Sequence, residues 1–246
     1  MSPETKKIKT LGIIPARGGS KSIPYKNIAT LAGKPLIYYT IKAAQKAKLL
    51  DAFIVSTDDG KIADVAKSLG ADVPFLRPEK FSRDKSVDIE FLKHAVEWLE
   101  ANRGWRPEII LNLRPTSPLR TARDIDDVIS LMLKTKCDSV RTLTSPYPHN
   151  PFKMWHFSHP KSTKIKPLLP TKHFDKLGTD VPRQLLPAAY WQNGLVDATR
   201  AKFIKQGIVY GPHMRGIVIE PERSMDIDEP DDLIKAEELM KKLKLI

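Results

Sequence analysis

Cysteine is nearly absent from this chain of 246 residues, and so is any apolar stretch long enough to cross a bilayer. The single cysteine, Cys137, excludes an internal disulfide and favours a reducing compartment, because secreted domains usually pair their thiols. The first ten residues are polar and rich in lysine, without the apolar segment of a secretion signal. We therefore expect a soluble, cytoplasmic protein with no membrane contact and with Cys137 in its core.

Aromatic residues are also scarce, at 7% of the chain, whereas positive charge is abundant. The chain has 41 Lys and Arg residues against 29 Asp and Glu residues, a formal net charge of +12. Such a balance suits a nucleic-acid binder, but it equally suits an enzyme with anionic ligands. The basic residues are spread along the whole chain, and Trp and Tyr do not alternate with them as in a stacking platform. A nucleic-acid-binding module is therefore the remote alternative.

Two familiar phosphate-binding motifs are missing, since the chain has neither a Walker loop nor a three-glycine dinucleotide fingerprint. It has instead a short apolar run, residues 11–14, followed by a cationic loop that we call the glycine turn, Arg17–Lys21. Gly18 and Gly19 can direct successive N–H groups toward one anion, while the flanking Arg and Lys and the later Lys26 add positive charge. The loop is predicted to bind polyphosphate, and a solvated basic turn is the alternative.

Short apolar runs alternate with amphipathic segments, and polar loops follow the runs. With 41% hydrophobic side chains, the chain can form one sizeable core. We predict a single domain, residues 1–246, of the α/β class with a doubly wound, mostly parallel sheet that binds ligands at the carboxyl ends of its strands. The predicted strands are residues 11–14, 52–57, 73–76, 108–113, 138–143, 195–197 and 216–220, and the predicted helices are residues 35–44, 61–69, 86–100, 122–134 and 230–244.

The alternation stops at Thr144. Residues 144–182, which we call the arm, contain many prolines, scattered aromatic residues and no clear period. Such a long irregular stretch in a compact domain is usually functional or an interface. Disorder is the competing interpretation, but Phe152, Trp155 and Leu168 are too apolar for a solvated linker. We predict that the arm is an insertion that contacts a second subunit.

Two pairs of neighbouring carboxylates are candidates for binding a ligand or a metal ion. Asp58 and Asp59 precede a predicted helix, where N-capping is favoured over contact with a ligand. Asp226 and Asp228 lie two residues apart in an extended segment, so their side chains point to one side while Ile227 points inward. This pair suits Mg²⁺, which takes one or two carboxylates together with substrate phosphates and water. For Asp228 alone, capping of the final helix is the alternative.

Over nearly its whole length the chain resembles the acylneuraminate cytidylyltransferase family, whose members activate nonulosonic acids such as sialic acid as CMP derivatives. The resemblance implies an α/β nucleotidyltransferase fold like that of nucleotide-diphospho-sugar transferases, and a homodimer. It also implies Mg²⁺-dependent attack of a sugar hydroxyl on the α-phosphate of a nucleoside triphosphate, with release of pyrophosphate. The motifs that carry it are Pro15–Lys21 with Lys26 and Asn27, Val55–Asp58, Arg77 with Pro78, Pro115–Arg120, Pro182–Gln184 with Asn193 and Gly194, and Asp226–Asp228.

The resemblance assigns roles to individual residues. Arg17, Ser20 and Lys21 would hold the triphosphate, with Lys26 and Asn27 nearby toward the nucleotide and base. Positioning and charge neutralisation by such groups do most of the catalysis in phosphoryl transfer. The candidate catalytic residues are Arg17, Lys21, Asp226 and Asp228, of which the last two would bind the metal.

Further residues are assigned to the acceptor and to the nucleotide in the same way. Lys153, on the arm, falls where family members reach into the partner's sugar site, and Arg183 falls where they contact the acceptor. The other candidate substrate-binding residues in the matched motifs are Gly18, Gly19, Arg77, Arg114, Thr116, Ser117, Gln184 and Asn193.

Three departures from the family pattern concern the acceptor. Sialic-acid-activating members usually carry Gln where this chain has Arg114. They often carry Arg where this chain has Trp191. Their usual sequence Asn-Gly-Ala-Ile-Tyr is replaced here by Asn-Gly-Leu-Val-Asp at residues 193–197. The change at Trp191 removes a natural partner for a carboxylate, because a guanidinium fork suits that group and an indole does not. Pro151–Trp155 also resembles a branch that includes sugar-1-phosphate guanylyltransferases. The predicted function is CTP-dependent activation of a nonulosonic acid, and transfer from GTP or another triphosphate to a sugar 1-phosphate is the alternative.

Overall fold

The computed structural model describes residues 8–146, 149–169 and 181–246. Within these residues the strands are β1 (Thr10–Pro15), β2 (Thr30–Leu31), β3 (Lys34–Pro35), β4 (Ala52–Ser56), β5 (Ile109–Asn112), β6 (Ser139–Thr144), β7 (Trp155–Phe157), β8 (Ile165–Pro167), β9 (Trp191–Arg200) and β10 (Met214–Val218). The helices are α1 (Leu36–Lys46), α2 (Gly60–Ser68), α3 (Asp88–Arg103), α4 (Ala122–Thr135), α5 (Ala201–Lys205) and α6 (Pro230–Lys242).

The central sheet has the strand order β10-β6-β9-β5-β1-β4. β1 pairs in parallel with β4 and β5, and β10 pairs in parallel with β6. β9 runs antiparallel between β5 and β6, because it is reached through the arm and not through a crossover helix. The predicted α/β class with a mostly parallel sheet is confirmed.

Helices cover both faces of this sheet, because successive strand residues point to opposite sides. Ile13 and Ile110 are buried against α3 and α5. Their neighbours Ile14 and Leu111 are buried against α1, α2 and α4, in the same cluster as Cys137. Helix α6 packs beside the end of the sheet, where its buried side chains contact Ile227. The α6 contact fixes the acidic segment, Asp226–Asp228, relative to the sheet.

Local signals account for the starts of the helices. Asp59 is the N-cap of α2, with its carboxylate accepting a hydrogen bond from the Ile62 N–H at 3.0 Å, as predicted. At α6 the N-cap is Glu229, which forms a capping box with Asp232. Asp228 is therefore not the cap of the final helix.

Two predictions of local structure need correction. Residues 73–76 do not form a regular strand: there is one isolated bridge before them, at Asp72, and one at their last residue, Leu76. Pro74 has no N–H for a ladder. The arm is not irregular throughout, since β7 and β8 form an antiparallel hairpin. Three-residue strands are too short for their period to be recognised in the sequence. Residues 147–148 and 170–180 of the arm lie outside the described residues.

Candidate active site

A cleft of about 610 Å³ opens at the carboxyl ends of β1 and β5. It is bordered by the glycine turn after β1, by the loop after β5, by the acidic segment, and by residues 79–88, which we call the facing loop. This is the edge of the sheet at which ligands were expected. The predicted site residues that line the cleft are Arg17, Ser20, Lys21, Lys26, Asn27, Arg77, Arg114, Thr116 and Asp228.

Hydrogen bonds hold the acidic segment against the loops that follow β1 and β5. Lys26 Nζ donates to the Ile227 carbonyl at 2.8 Å and lies 3.1 Å from Asp228 Oδ1. The Ser22 hydroxyl donates to the Asp228 carbonyl. The Ile227 N–H donates to the Thr116 carbonyl at 2.8 Å, and the Ile227 side chain is fully buried. The two chemical motifs from opposite ends of the chain therefore meet in one cavity.

Asp226 is the more enclosed of the two carboxylates. Its Oδ1 atom is buried and has no hydrogen-bond partner in the part of the chain that the structure describes. Burial raises the pKa of Asp226 above its usual value, and the negative charge of Asp228 adds to the increase. A buried oxygen without a partner, beside a second carboxylate, is suited to a bound cation.

The positive side chains of the glycine turn contact an acidic residue of the facing loop. Lys21 and Arg17 both pair with Asp84, and Arg17 Nη1 also donates to the Arg83 carbonyl at 3.1 Å. The hydrogen bond from Lys21 lowers the pKa of Asp84 below its usual value. A single carboxylate thus lies where the sequence predicts the phosphates of a ligand.

The backbone of the glycine turn differs from the expectation of two N–H groups facing an anion. The Gly18 N–H donates to Asp58 Oδ1 at 3.1 Å, so this donor is already occupied within the chain. A Cβ on Gly18 would lie 2.9 Å from the Asp59 Cβ, which explains why glycine is required there. Gly19 has open space around it. The positive charge of the turn is therefore available to an anion, whereas its backbone is in part engaged.

Arg77 is buried at the wall of the cleft. Its guanidinium lies 5.3 Å from the Phe91 ring and 3.8 Å from Asp58 Oδ1. The Nε and Nη2 atoms have no hydrogen-bond partner among the described residues. Burial lowers the pKa of Arg77 from its usual value, and Asp58 opposes this effect. Unpaired buried donors beside a cleft are expected to bind acceptor atoms of a ligand.

Arg114 lies at another wall of the cleft and contacts two carboxylates. Its Nη1 donates to Asp197 Oδ2 at 2.8 Å, and its Nη2 donates to Asp88. Burial acts to lower the pKa of Arg114, but Asp88 and Asp197 outweigh it and hold the pKa above its usual value. Arg141 Nη1 also contacts Asp197, at 2.9 Å. The result is a connected cluster of alternating charges that reaches the cleft at Arg114 and Asp88.

Four of the remaining predicted residues, Ser117, Lys153, Gln184 and Asn193, are not part of the described lining of this cleft. Ser117 is buried behind it, and Asn193 is buried with its amide donating to the Ser224 hydroxyl at 2.9 Å. Lys153 ends a short 3-10 helix on the arm, and Gln184 lies in another such helix; both side chains are exposed. Arg183 begins the second of these helices.

Several cleft residues were missed by the sequence analysis. Asp84 and Phe81 belong to the facing loop, to which the sequence analysis assigned no site, and Asp88 was predicted only as part of a helix. One signal in the sequence could have indicated Asp84. The positive side chains of the glycine turn favour a nearby carboxylate when no anion is bound. In the described ranges, none of the helices combines the length and the apolar character needed to span a membrane.

A mostly parallel sheet with a cationic turn and carboxylates at one end of its strands defines the class of α/β nucleotidyltransferases. The chain belongs to the cytidylyltransferase family, whose model, described as "Cytidylyltransferase", matches residues 11–241. A likeness to a solved structure agrees with this fold. The structure of CMP:2-keto-3-deoxy-manno-octonic acid synthetase complexed with CTP superposes with a TM-score of 0.66 at 17% identity, covering 96% of this chain and 99% of that one.

Two curated relatives show the range of similar proteins. The chain is 31% identical over 228 residues to an N-acylneuraminate cytidylyltransferase of Escherichia coli O18:K1:H7, covering 91% of this chain. It spans only 50% of that longer relative. It is also 31% identical over 235 residues to the CMP-N,N'-diacetyllegionaminic acid synthase of Legionella pneumophila subsp. pneumophila, covering 95% of this chain and 97% of the relative.

Proposed function

We propose that the chain transfers a cytidylyl group from CTP to a nonulosonic acid and releases pyrophosphate. The observation that carries the proposal is the meeting of the glycine turn and the acidic segment in one cleft. Attack on an α-phosphate needs positive charge around the triphosphate and fixed groups near the reacting atoms, and the cleft offers both. The names of the similar proteins point to cytosine as the base and to a nine-carbon sugar acid as the acceptor.

The acidic segment fits Mg²⁺ as the metal. Asp226 Oδ1 is a buried oxygen without a hydrogen-bond partner among the described residues, and hard oxygen atoms are the ligands that Mg²⁺ prefers. No group of three or more His, Cys, Asp or Glu side chains gathers as a metal site in the described ranges. Mg²⁺ typically needs only one or two carboxylates, because phosphates and water complete its shell. When bound at Asp226 and Asp228, it would neutralise charge on the phosphates.

The cleft residues take complementary roles in this proposal. Arg17 and Lys21 exchange Asp84 for the triphosphate, and Ser20 and Asn27 lie beside them. Lys26 holds Asp228 in place through its 3.1 Å contact. Arg77, whose buried Nε and Nη2 have no hydrogen-bond partner among the described residues, contributes to substrate binding.

We further propose that the protein is a homodimer joined through the arm. The arm's hairpin and its flanks expose large apolar side chains, a pattern typical of interaction surfaces. These are Met154, Trp155, Phe157, Ile165 and Leu168. Lys153 precedes this surface and does not line the cleft of its own chain, so it is placed to act in the partner's site. Sedimentation of the full chain checks the assembly, and a monomer at micromolar concentration would contradict it.

The activity is tested with the full chain, Mg²⁺, each nucleoside triphosphate in turn, and two panels of acceptors, sugar acids and sugar 1-phosphates. Pyrophosphate release is measured. We expect turnover with CTP and at least one nonulosonic acid, and its loss when EDTA removes the metal. Turnover only with GTP and a hexosamine 1-phosphate would replace this function by the alternative. Filter binding to DNA and RNA at moderate salt, expected to be weak, checks the remaining class.

A further inference from the structure

Arg114 lines the cleft, and its contacts with Asp197, Asp88 and Gly194 fix the orientation of its guanidinium. Its terminal nitrogens donate to Asp197 and Asp88, which belong to β9 and α3. A Cβ built on Gly194 would lie 3.2 Å from Arg114 Nη1, so the guanidinium packs closely against this glycine, whose φ of +67° favours the absence of a side chain. The side chain is therefore ordered before any ligand arrives.

The two carboxylates that hold Arg114 differ in their surroundings. Asp197 is only 2% exposed, and its Oδ2 also contacts Arg141 at 2.9 Å and Gln192 Nε2 at 3.0 Å. Its carboxylate is thus an internal anchor between two arginines. The Asp88 side chain is 34% exposed and lines the cleft, where Asn112 Nδ2 donates to it at 2.9 Å. Asp88 is the partner that an incoming ligand can displace or share.

Two departures from the family pattern prove to be in direct contact. Arg114 and Asp197 are the positions at which the sequence analysis found departures from the family that the chain resembles, and the two side chains meet at 2.8 Å. A partly buried arginine without a counter-charge would be costly, so Arg114 and Asp197 depend on each other. Trp191, where an arginine is often found, is half exposed and carries no charge. Of the changed positions Arg114 and Trp191, only Arg114 lines the described cleft.

We propose that Arg114, anchored by Asp197, binds the anionic group of the acceptor and so determines acceptor specificity. The inference rests on the proposed function, because it assigns a residue to the acceptor of that reaction. A guanidinium has five N–H donors in one plane, and the contacts with Asp197 and Asp88 leave further donors for a carboxylate or phosphate. Since its orientation is fixed in advance, little conformational entropy is lost on binding.

The position of Arg114 also agrees with a role beside the reacting atoms. The residue begins the loop that contains Thr116, and the Thr116 carbonyl holds Ile227 between the two carboxylates of the acidic segment. Arg114, Thr116 and Asp228 line the same cleft. An acceptor anion bound to Arg114 therefore lies next to the carboxylates that would hold the metal.

The variants Arg114→Gln and Arg114→Lys test the assignment in the full-length enzyme. Pyrophosphate release is measured against acceptor concentration at saturating CTP and Mg²⁺, with sugar acids in one arm and sugar 1-phosphates in the other. We expect kcat/KM for the acceptor to fall about 10- to 100-fold in both variants, because a charge-assisted bidentate contact is lost. The KM for CTP should change less than about twofold, since triphosphate contacts remain. Whichever acceptor class the wild type uses identifies the anion as carboxylate or phosphate.

A second readout separates contact with the anion from a structural effect. The wild type should prefer a sugar acid over its neutral amide derivative, and Arg114→Gln should lose most of that preference. Arg123→Gln is the matched control, because Arg123 is an exposed arginine on α4. This control should leave the acceptor kcat/KM and the preference for the sugar acid over its amide unchanged. Calorimetric titration with CTP identifies folded variants, and Arg114→Lys carries the test if Arg114→Gln does not bind CTP.

The outcomes separate this inference from the function on which it rests. An active wild type together with an Arg114→Gln variant of unchanged acceptor KM and unchanged preference overturns the inference alone. A wild type that turns over no acceptor of either class overturns the proposed function, and the inference with it. Asp197→Asn should lower acceptor kcat/KM as well, with no further loss when combined with Arg114→Gln, because it acts through Arg114.

Discussion

The ion pairs at the glycine turn and behind Arg114, on opposite sides of the cleft, differ in how far they are exposed to solvent. At the glycine turn, Lys21 is 80% exposed and its partner Asp84 is 46% exposed. Behind the opposite wall, where Arg114 contacts Asp197, Arg141 is 7% exposed and its partner Asp197 is 2% exposed. Exposed pairs contribute little to stability and exchange readily, whereas breaking a buried pair leaves an uncompensated charge. One side is therefore prepared to change partners, and the other holds a fixed geometry.

The largest effect is expected at the acidic segment, which borders both sides. Asp226→Asn should lower pyrophosphate release by about 100- to 1000-fold, because a preorganised charged group near the phosphates is lost. The fold should remain, since burial disfavours the charged form of this carboxyl and raises its pKa, and the variant removes that charge. Asp64→Asn, at an exposed position on α2, is the control and should keep full activity. An active Asp226→Asn enzyme would show that the pair is structural.

The next largest effect is expected at the buried pair of Arg141 and Asp197, and it concerns the free energy of unfolding. Asp197→Asn should lower the free energy of unfolding in urea by about 3–5 kcal/mol, because two arginines lose their shared carboxylate. Asp84→Asn is the matched change at the exposed pair, and it should leave the free energy of unfolding nearly unchanged. Equal losses in the two variants would contradict the distinction between the two sides.

The smallest effect is expected on nucleotide binding at the exposed pair. Because Asp84 occupies Arg17 and Lys21 when no anion is bound, Asp84→Asn should tighten CTP binding about two- to fivefold at low salt. The difference should shrink at high ionic strength, where exposed charges are screened. Isothermal titration at two salt concentrations measures both effects. Weaker binding in the variant would mean that Asp84 contributes to the nucleotide site itself.

Local patterns were sufficient for most of the fold. The short apolar run before the glycine turn became β1, and the helical spacing of residues 86–100 became α3, because burial of one face follows directly from sequence period. Residues 73–76 were wrongly predicted as a strand, since their apolar character resembles one while Pro74 lacks the needed donor. Chemical character alone likewise identified the glycine turn and the acidic segment as candidates.

The contacts that shape the site could not be predicted in this way. Arg114 and Asp197 are 83 positions apart, and Lys26 and Asp228 are 202 positions apart. No periodic pattern links residues at such distances, because their meeting depends on the order of strands in the sheet. Arg114 and Asp197 were each recognised as a departure, but only the fold shows that they are one unit.

The position of β9 in the sheet has a consequence for the chain as it leaves the ribosome. Among the strands of the described residues, β6 pairs only with β9 and β10, both of which are made after it. In a nascent chain that ends before Trp191, both edges of β6 therefore lack a paired strand. In contrast, β1, β4 and β5 can already pair with one another. We expect such unfinished chains to self-associate, which light scattering of a chain truncated after residue 190 would show. Synthesis of residues 191–246 thus closes the sheet and completes the cleft at the same stage.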